Sequence, residues 1–201
     1  MFYDSAGAAI DYGNRWGGES PPDDAYSVTS NTQRYAPLHL VADALIDHLA
    51  TTYAVEVSED VAFAGDLLHK QDDVLRALRI VPVNGDEASL TFVYTSFPGV
   101  MVHAGLLHDF PFPSCGCDAC DESLEGVADE LEWTVLCVVA GGFSEWVDPG
   151  AMLSVGHELL SGDGTGRRSG ATAQNDLPRL QEAEERLSQL PGGWQPWSPR
   201  S

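Results

Sequence analysis

Residues 77–107 read ALRIVPVNGDEASLTFVYTSFPGVMVHAGLL, and this stretch decides the fold. Three runs rich in β-branched, aromatic and other apolar residues, Ala77–Val83, Ser89–Phe97 and Gly99–Leu107, are separated by short turn signals. Asn84-Gly85-Asp86 predicts a tight hairpin between the first two runs, and Phe97-Pro98-Gly99 predicts a turn between the second and third. Three consecutive strands joined in this way predict an antiparallel meander.

Amphipathic helices are expected before and after the meander along the chain. Apolar residues at helical spacing predict a helix over residues 37–53, with Pro37 suited to the first helical position. A second apolar stripe follows Asp121-Glu122, whose charges suit a helix N-terminus, and ends at Gly141-Gly142. A charged helix is expected over Leu177–Leu190. The predicted fold class is therefore α+β, an antiparallel sheet around a central three-strand meander with helices packed mainly on one face.

Weaker signals complete the organisation of the chain. Short strands are expected at Tyr53–Val57 and Phe143–Val147, and a terminal hairpin is expected from Met152–Leu160 and Arg168–Thr172. Residues 58–74 show no clear pattern. The first 36 residues are rich in Gly, Pro, Asp and Ser, and their aromatic side chains predict packing onto the body. We therefore expect an extended arm over residues 1–36 and a single α+β domain over residues 37–201 with a C-terminal hairpin, helix and tail.

The composition indicates a strongly acidic globular protein. The chain has 201 residues, with 31 acidic against 10 basic residues and a formal net charge of −21. Such a surface repels phosphate backbones, so we expect no direct nucleic-acid binding, whereas a basic protein partner or mimicry of nucleic acid would suit it. Solubility alone also accounts for the charge. No apolar run reaches membrane length and Met1–Ser5 lacks the features of a signal peptide, which predicts a cytoplasmic protein without a membrane partner.

Three of the four cysteines lie within six residues, in the segment FPFPSCGCDAC at positions 110–120. The two prolines stiffen the approach by fixing φ, and a glycine separates the first two thiols. Converging thiolates repel one another unless a cation neutralises them, and Zn²⁺ favours thiolate and imidazole ligands. The sequence therefore predicts a Zn²⁺ site with Cys115, Cys117 and Cys120 as ligands.

The fourth ligand is predicted to be His108, seven residues before Cys115. His103, further back, is interpreted as an ordinary sheet histidine, although Asp118 and Asp121 also lie within local reach and carboxylates bind zinc. Cys137 is excluded, because sixteen helical residues place it about 24 Å from Asp121. Its apolar neighbours indicate a core position instead.

Two other interpretations of the cysteine segment stay open. Cys117 and Cys120 form a Cys-x-x-Cys pair before a helix, a position that lowers thiol pKa, yet Asp118, Asp121 and Glu122 bring negative charge that opposes thiolate formation. The surrounding pattern is not the β-α-β pattern of a thioredoxin-type site. Alternatively, the three residues pack a tight turn without chemistry.

Four segments carry a family resemblance. They are Arg15-Trp16-Gly17-Gly18, Pro21-Pro22-Asp23-Asp24-Ala25-Tyr26-Ser27, Tyr35-Ala36-Pro37-Leu38-His39 and Cys115-Gly116-Cys117-Asp118-Ala119-Cys120-Asp121-Glu122. With them the chain resembles an uncharacterised actinobacterial family of unknown function over most of its length. The resemblance implies a bacterial cytosolic protein and carries no assigned activity.

Two functional hypotheses follow from these features. The chain lacks the common nucleotide-binding, metalloprotease and serine-hydrolase motifs, which favours a non-catalytic binding or regulatory module, for example of the immunity type. In that module the cysteine loop would be a structural zinc element. The alternative is a thiol- or zinc-dependent enzyme or redox sensor that uses Cys115, Cys117 and Cys120 as its active centre.

Overall fold

A computed structural model describes residues 2–3, 7–148, 154–174, 176–190 and 192–201. Over these residues the chain forms three α-helices and eight β-strands, with short 3-10 helices at Asp23–Ser27, Thr32–Tyr35 and Val61–Asp66. The helices are α1 (Leu38–Thr52), α2 (Leu124–Val139) and α3 (Leu177–Ser188). The strands are β1 (Val55–Glu59), β2 (Val74–Pro82), β3 (Leu90–Thr95), β4 (Val100–Ala104), β5 (His108–Phe112), β6 (Phe143–Asp148), β7 (Ser154–Leu160) and β8 (Arg167–Ala173).

The predicted meander forms the centre of the larger sheet. Strands β2, β3 and β4 pair antiparallel in sequence order, and β1 and β5 extend the sheet at its two edges. Helices α1 and α2 cover one face, where alternate residues such as Leu90 and Phe92 join the main core. The α+β prediction is therefore confirmed. The core side chains are apolar at every second strand position because successive residues point to opposite faces.

A smaller sheet packs beside the first. It has the order β6-β7-β8, and the predicted terminal hairpin is its β7–β8 pair. The first two residues of the predicted strand Met152–Leu160 lie outside the described residues. Helix α3 packs against this sheet through Leu180 and Ala183. Within the described part of the chain, no helix has both the length and the apolar character needed to cross a membrane.

The structure corrects the end of the meander. The third strand was expected to continue to Leu107, but β4 ends at Ala104 and the chain turns to begin β5 at His108. Gly105 makes this turn with a φ of 63°, and a side chain there would clash with the Glu145 carboxylate. The proline-containing segment that leads to the cysteines is therefore largely strand β5. Pro111 is tolerated because β5 is an edge strand.

Helix α2 also begins later than the sequence suggested. Asp121 has a φ of 52°, which is incompatible with a right-handed helix, so the chain is still turning there. Ser123 is the N-cap, and its side chain accepts a hydrogen bond from the Gly126 amide. The segment between β5 and α2 is consequently a longer loop, and it carries all three clustered cysteines.

Candidate metal centre

The three clustered cysteines meet at the surface. One ligand atom from each of Cys115, Cys117 and Cys120 lies within 4.8 Å of the other two. Within the described ranges this is the one such close group of three or more potential ligands. Cys115 and Cys120 are exposed and Cys117 is buried, and all three are free thiols. The arrangement predicted for the sulfurs is therefore present in the structure.

The N-terminal segment holds the loop from one side. The backbone amides of Asp118 and Ala119 donate to the carbonyls of Val28 (2.8 Å) and Ala25 (3.1 Å). Ala25 also packs with Cys117 and Ala119 in a small apolar cluster. These contacts join two segments that lie about 90 residues apart in sequence, so the position of the thiols depends on the arm.

Asp118 connects the loop to the arm by charge. Its carboxylate accepts hydrogen bonds from the Ser30 amide (2.9 Å) and hydroxyl (2.7 Å) and forms an ion pair with Arg15 at 3.1 Å. Burial favours the protonated form, but these hydrogen bonds and the Arg15 guanidinium hold the pKa of Asp118 below its usual range. The adjacent Asp121 carboxylate accepts hydrogen bonds from the amides of Gly13 (3.0 Å) and Arg15 (2.7 Å). The Asp118 carboxylate and the Oδ2 atom of Asp121 are thus engaged with the arm, whereas Asp121 Oδ1 is buried without a hydrogen-bond partner among the described residues. The three sulfurs form the close group of potential ligands.

Glu122 shapes the loop from inside. Its carboxylate accepts hydrogen bonds from the amides of Ser114 (3.2 Å), Cys115 (3.1 Å) and Gly116 (3.0 Å), and from the Ser114 hydroxyl at 2.7 Å. Burial opposes ionisation, yet these donors hold the pKa of Glu122 below its usual range. The sequence interpretation placed Glu122 in the first helical turn. The Ser123 cap was the signal that Glu122 precedes the helix and is available to the loop.

The thiols differ in acidity. The backbone amide of Cys120 and the thiol of Cys115 donate towards the Cys117 sulfur and lower the pKa of Cys117. Hydrogen bonding with the Cys115 and Cys117 sulfurs raises the pKa of Cys120 to about 12. The lowered pKa of Cys117 comes first from the Cys120 amide, while the carboxylates expected to oppose thiolate formation accept hydrogen bonds from the arm and from loop amides.

His108 is not brought to the thiols. It lies at the start of β5, and the strand from His108 to Phe112 spans about 13 Å before the cysteine loop begins. Its Nδ1 lies 3.1 Å from the buried Glu145 carboxylate, and its Nε2 is buried without a hydrogen-bond partner in the described structure. The close group of potential ligands contains the three cysteines and not His108. The edge strand that the sequence did not reveal accounts for this separation.

Glu145 is a functional-looking residue that sequence reasoning missed. Its side chain is fully buried and accepts hydrogen bonds from the amides of Leu106 and Leu107 and from the Trp194 indole, each at 3.0 Å. His157 packs against His108 with ring centroids 4.7 Å apart. The available signal was Glu145 at an inward position of the predicted strand 143–147, where a charge needs partners. This cluster ties the two sheets together.

Cys137 and His103 are placed away from the thiols. Cys137 is buried in α2, and burial raises the pKa of its thiol to about 11, in keeping with a core position. His103 Nδ1 lies 2.7 Å from the Asp109 carboxylate, and Arg179 lies 3.2 Å from its Nε2. This histidine lines a cleft of about 420 Å³ on the second face of the larger sheet. Both ring nitrogens of His103 are therefore paired within the protein.

Comparison with known proteins gives one match. A family model described as a family of unknown function, DUF6226, matches residues 1–201. No curated protein and no solved structure matches the chain. The chain belongs to this family of unknown function.

Proposed function

We propose that this member of a family of unknown function is a binding or regulatory module whose cysteine loop holds one Zn²⁺ ion. The observation that carries the proposal is the mutual approach of three sulfurs to within 4.8 Å. Three thiolates around a tetrahedral Zn²⁺ lie about 3.8 Å apart, given Zn–S bonds of about 2.3 Å. Only a small contraction of the loop is therefore needed to close the site.

The loop is organised before any metal binds. The Cys117 sulfur already receives an amide hydrogen bond, which favours a thiolate ligand. Glu122 fixes the amides of Cys115 and Gly116, and the arm fixes the amides of Asp118 and Ala119. Because the backbone on both sides of each sulfur is restrained, metal binding costs little conformational entropy. All three ligands belong to the loop, and the arm packs against that loop through the Asp118 and Ala119 amides. We infer that metal binding fixes the surface on which the arm rests, so that metal occupancy regulates how firmly the arm is held.

The fourth coordination position faces solvent in this proposal. The close group supplies three ligands from the described residues, and two of them, Cys115 and Cys120, are exposed. Water or a ligand from a partner would complete the tetrahedron. Since thiols stay reduced in the cytosol, a cytoplasmic location suits four free cysteines, and we propose that location.

The second candidate is a thiol-dependent enzyme or redox sensor. The lowered pKa of Cys117 favours it, because the thiolate is the reactive form of cysteine. Cys117 is buried, however, whereas reactive cysteines need access to their substrates. We therefore rank this candidate second. The zinc titration described next separates the two candidates.

The test is a zinc titration of the metal-free protein under anaerobic conditions. We expect one equivalent of Zn²⁺ to bind and to protect three thiols from alkylation. Replacement Cys115→Ser or Cys120→Ser should abolish stoichiometric binding, whereas Cys137→Ser is the matched control and should keep it. Less than a tenth of an equivalent bound, with alkylation of Cys117 unaffected by zinc, would contradict the proposal and favour thiol chemistry.

The variant His108→Gln tests the fourth ligand. From the position of His108 on β5, we expect it to bind zinc as tightly as the unaltered chain. A large loss of zinc affinity in a folded His108→Gln protein would instead restore His108 as the fourth ligand predicted from sequence.

A further inference from the structure

Helices α1 and α2 leave an apolar groove on the outside of the molecule. The two helices pack side by side over the larger sheet, and the groove between them encloses about 500 Å³. Leu40 is 72% exposed and Leu136 is 44% exposed, and Ala44 lies between them on the same surface. Apolar side chains grouped on one exposed surface gain free energy when a partner covers them. The groove therefore has the character of a contact surface.

Glu132 and His48 are the polar residues in the groove lining, and the helices that form the groove are acidic. Helices α1 and α2 contain six acidic residues and no Lys or Arg. Asp43 and Glu130 form ion pairs with Arg76 and Arg168. The other four, in the part of the chain that the structure describes, have no ion pair within the protein: Asp47, Glu125, Asp129 and Glu132.

The spacing of these acids relates them to the groove. Glu125, Asp129, Glu132 and Leu136 follow one another at intervals of three and four residues, which places them along one stripe of α2. Asp47 follows Leu40 and Ala44 on α1 at the same intervals. Carboxylates therefore lie beside an apolar floor, and the groove combines hydrophobic contact with a negative potential.

We propose that this groove docks a basic amphipathic helix of a partner protein. Its apolar side would cover Leu40, Ala44 and Leu136, and its Lys or Arg side chains would reach Asp47, Asp129 and Glu132. Helix α1 has 15 residues and is therefore about 22 Å long, which matches a partner helix of about four turns. This partner is the one expected of the binding module proposed above, but the groove lies on different residues from the metal loop.

A second copy of this chain does not fit the groove. Helices α1 and α2 offer no cation, and the two arginines of α3 are engaged within the protein. Arg179 donates to the carbonyls of Leu106 and Leu67, and Arg186 donates to the Gly85 carbonyl at 2.6 Å. Like-charged helices from two copies would repel each other across an acidic interface.

The direct test uses a labelled synthetic peptide of about 15 residues with leucines along one helical face and lysines along the other. Fluorescence anisotropy should show saturable binding to the full-length protein. A scrambled peptide of the same composition should bind at least about tenfold more weakly, because its leucines no longer share a face. Leu40→Asp and Leu136→Asp should each weaken binding by about tenfold. Val83→Asp is the matched control, since Val83 is 73% exposed on another part of the surface.

A charge-reversal pair separates docking from general attraction to an acidic protein. Asp129→Lys with Glu132→Lys should reduce peptide affinity at least about tenfold, whereas Glu184→Lys with Glu185→Lys on α3 makes the same net charge change and should have a much smaller effect. Equal losses in the two double variants, or equal affinity for the scrambled peptide, would overturn the proposal. Self-association that Leu40→Asp abolishes, without peptide binding, would overturn it in favour of a second copy. Zinc content of the same samples separates this result from the metal proposal, because Cys115→Ser should lose zinc and keep the groove.

Discussion

At the scale of single residues, Glu122 sets the shape of the cysteine loop. One carboxylate accepts hydrogen bonds from three consecutive amides and a hydroxyl. Removing it leaves those donors without an acceptor and frees the backbone that carries Cys115. We predict that Glu122→Ala weakens Zn²⁺ binding by about tenfold or more, in the range seen for residues that support metal ligands. Competition with a zinc chelator measures the affinity, and Glu125→Ala on the exposed surface of α2 is the control. Equal affinity in the two variants would show that Glu122 does not organise the site.

His157 gives the protein a dependence on pH. Burial and then the neighbouring His108 lower the pKa of His157 to about 4, against the opposing effect of Glu145. In the unfolded chain this histidine titrates near 6.5, so between about pH 6.5 and 4 the unfolded state binds a proton that the folded state does not. Stability therefore falls as the pH drops through that window. We predict that His157→Gln loses less free energy of unfolding between pH 7 and pH 5 than the unaltered chain.

Urea unfolding at the two pH values measures this difference. The exposed His48 provides the control, because His48→Gln removes a histidine whose surroundings are open to solvent. If the unaltered chain and His157→Gln lose the same free energy of unfolding on acidification, the half-buried His157 is not the group responsible.

At the scale of elements, the arm and the cysteine loop form one unit. Asp118 is central to this contact, because its carboxylate accepts hydrogen bonds from Ser30 and forms an ion pair with Arg15. We predict that Asp118→Ala loosens the arm and speeds tryptic cleavage after Arg15, while Asp129→Ala on α2 leaves the rate unchanged. Limited proteolysis followed by mass spectrometry measures the two rates. Equal cleavage rates would mean that the arm is held without Asp118.

Local pattern predicted most elements, and the failures have identifiable physical causes. Runs rich in β-branched and aromatic residues and the Asn84-Gly85-Asp86 turn were enough for the meander, because local chemistry decides those strands. Strand β5 was missed since Pro111 argues against a strand unless the strand lies at an edge, and edge position is a tertiary property. His108 was assigned to the metal site for the same reason. The clustering of the thiols was predictable because loop closure over six residues is local.

The partners of the loop were beyond sequence reasoning. Ser30 and Arg15 lie about 90 to 100 residues from Asp118, and no local pattern indicates that they meet. Their positions in the sequence led us to expect the loop carboxylates beside the sulfurs. Tertiary hydrogen bonds instead turn Asp118 and Asp121 towards the arm. The acidity of Cys117 depends first on the Cys120 amide, a contact made by the loop conformation that the sequence pattern does not specify.

At the scale of the whole molecule, the basic residues are fully engaged and the acidic residues are in surplus. Seven of the ten Lys and Arg form ion pairs with carboxylates, and the other three, Arg34, Arg179 and Arg200, donate to backbone carbonyls. The net charge of −21 therefore resides largely on unpaired carboxylates. For a surface of this charge we propose a basic protein partner rather than a nucleic acid, because it repels phosphate groups.

The central claim is that three thiolates from one loop hold a Zn²⁺ ion with one position open. X-ray absorption at the zinc edge of the loaded protein tests this most directly, because it counts the sulfur ligands. We predict three sulfurs at about 2.3 Å and one oxygen or nitrogen at about 2.0 to 2.1 Å. A first shell of four sulfurs, or one dominated by oxygen and nitrogen, would contradict a site built from Cys115, Cys117 and Cys120.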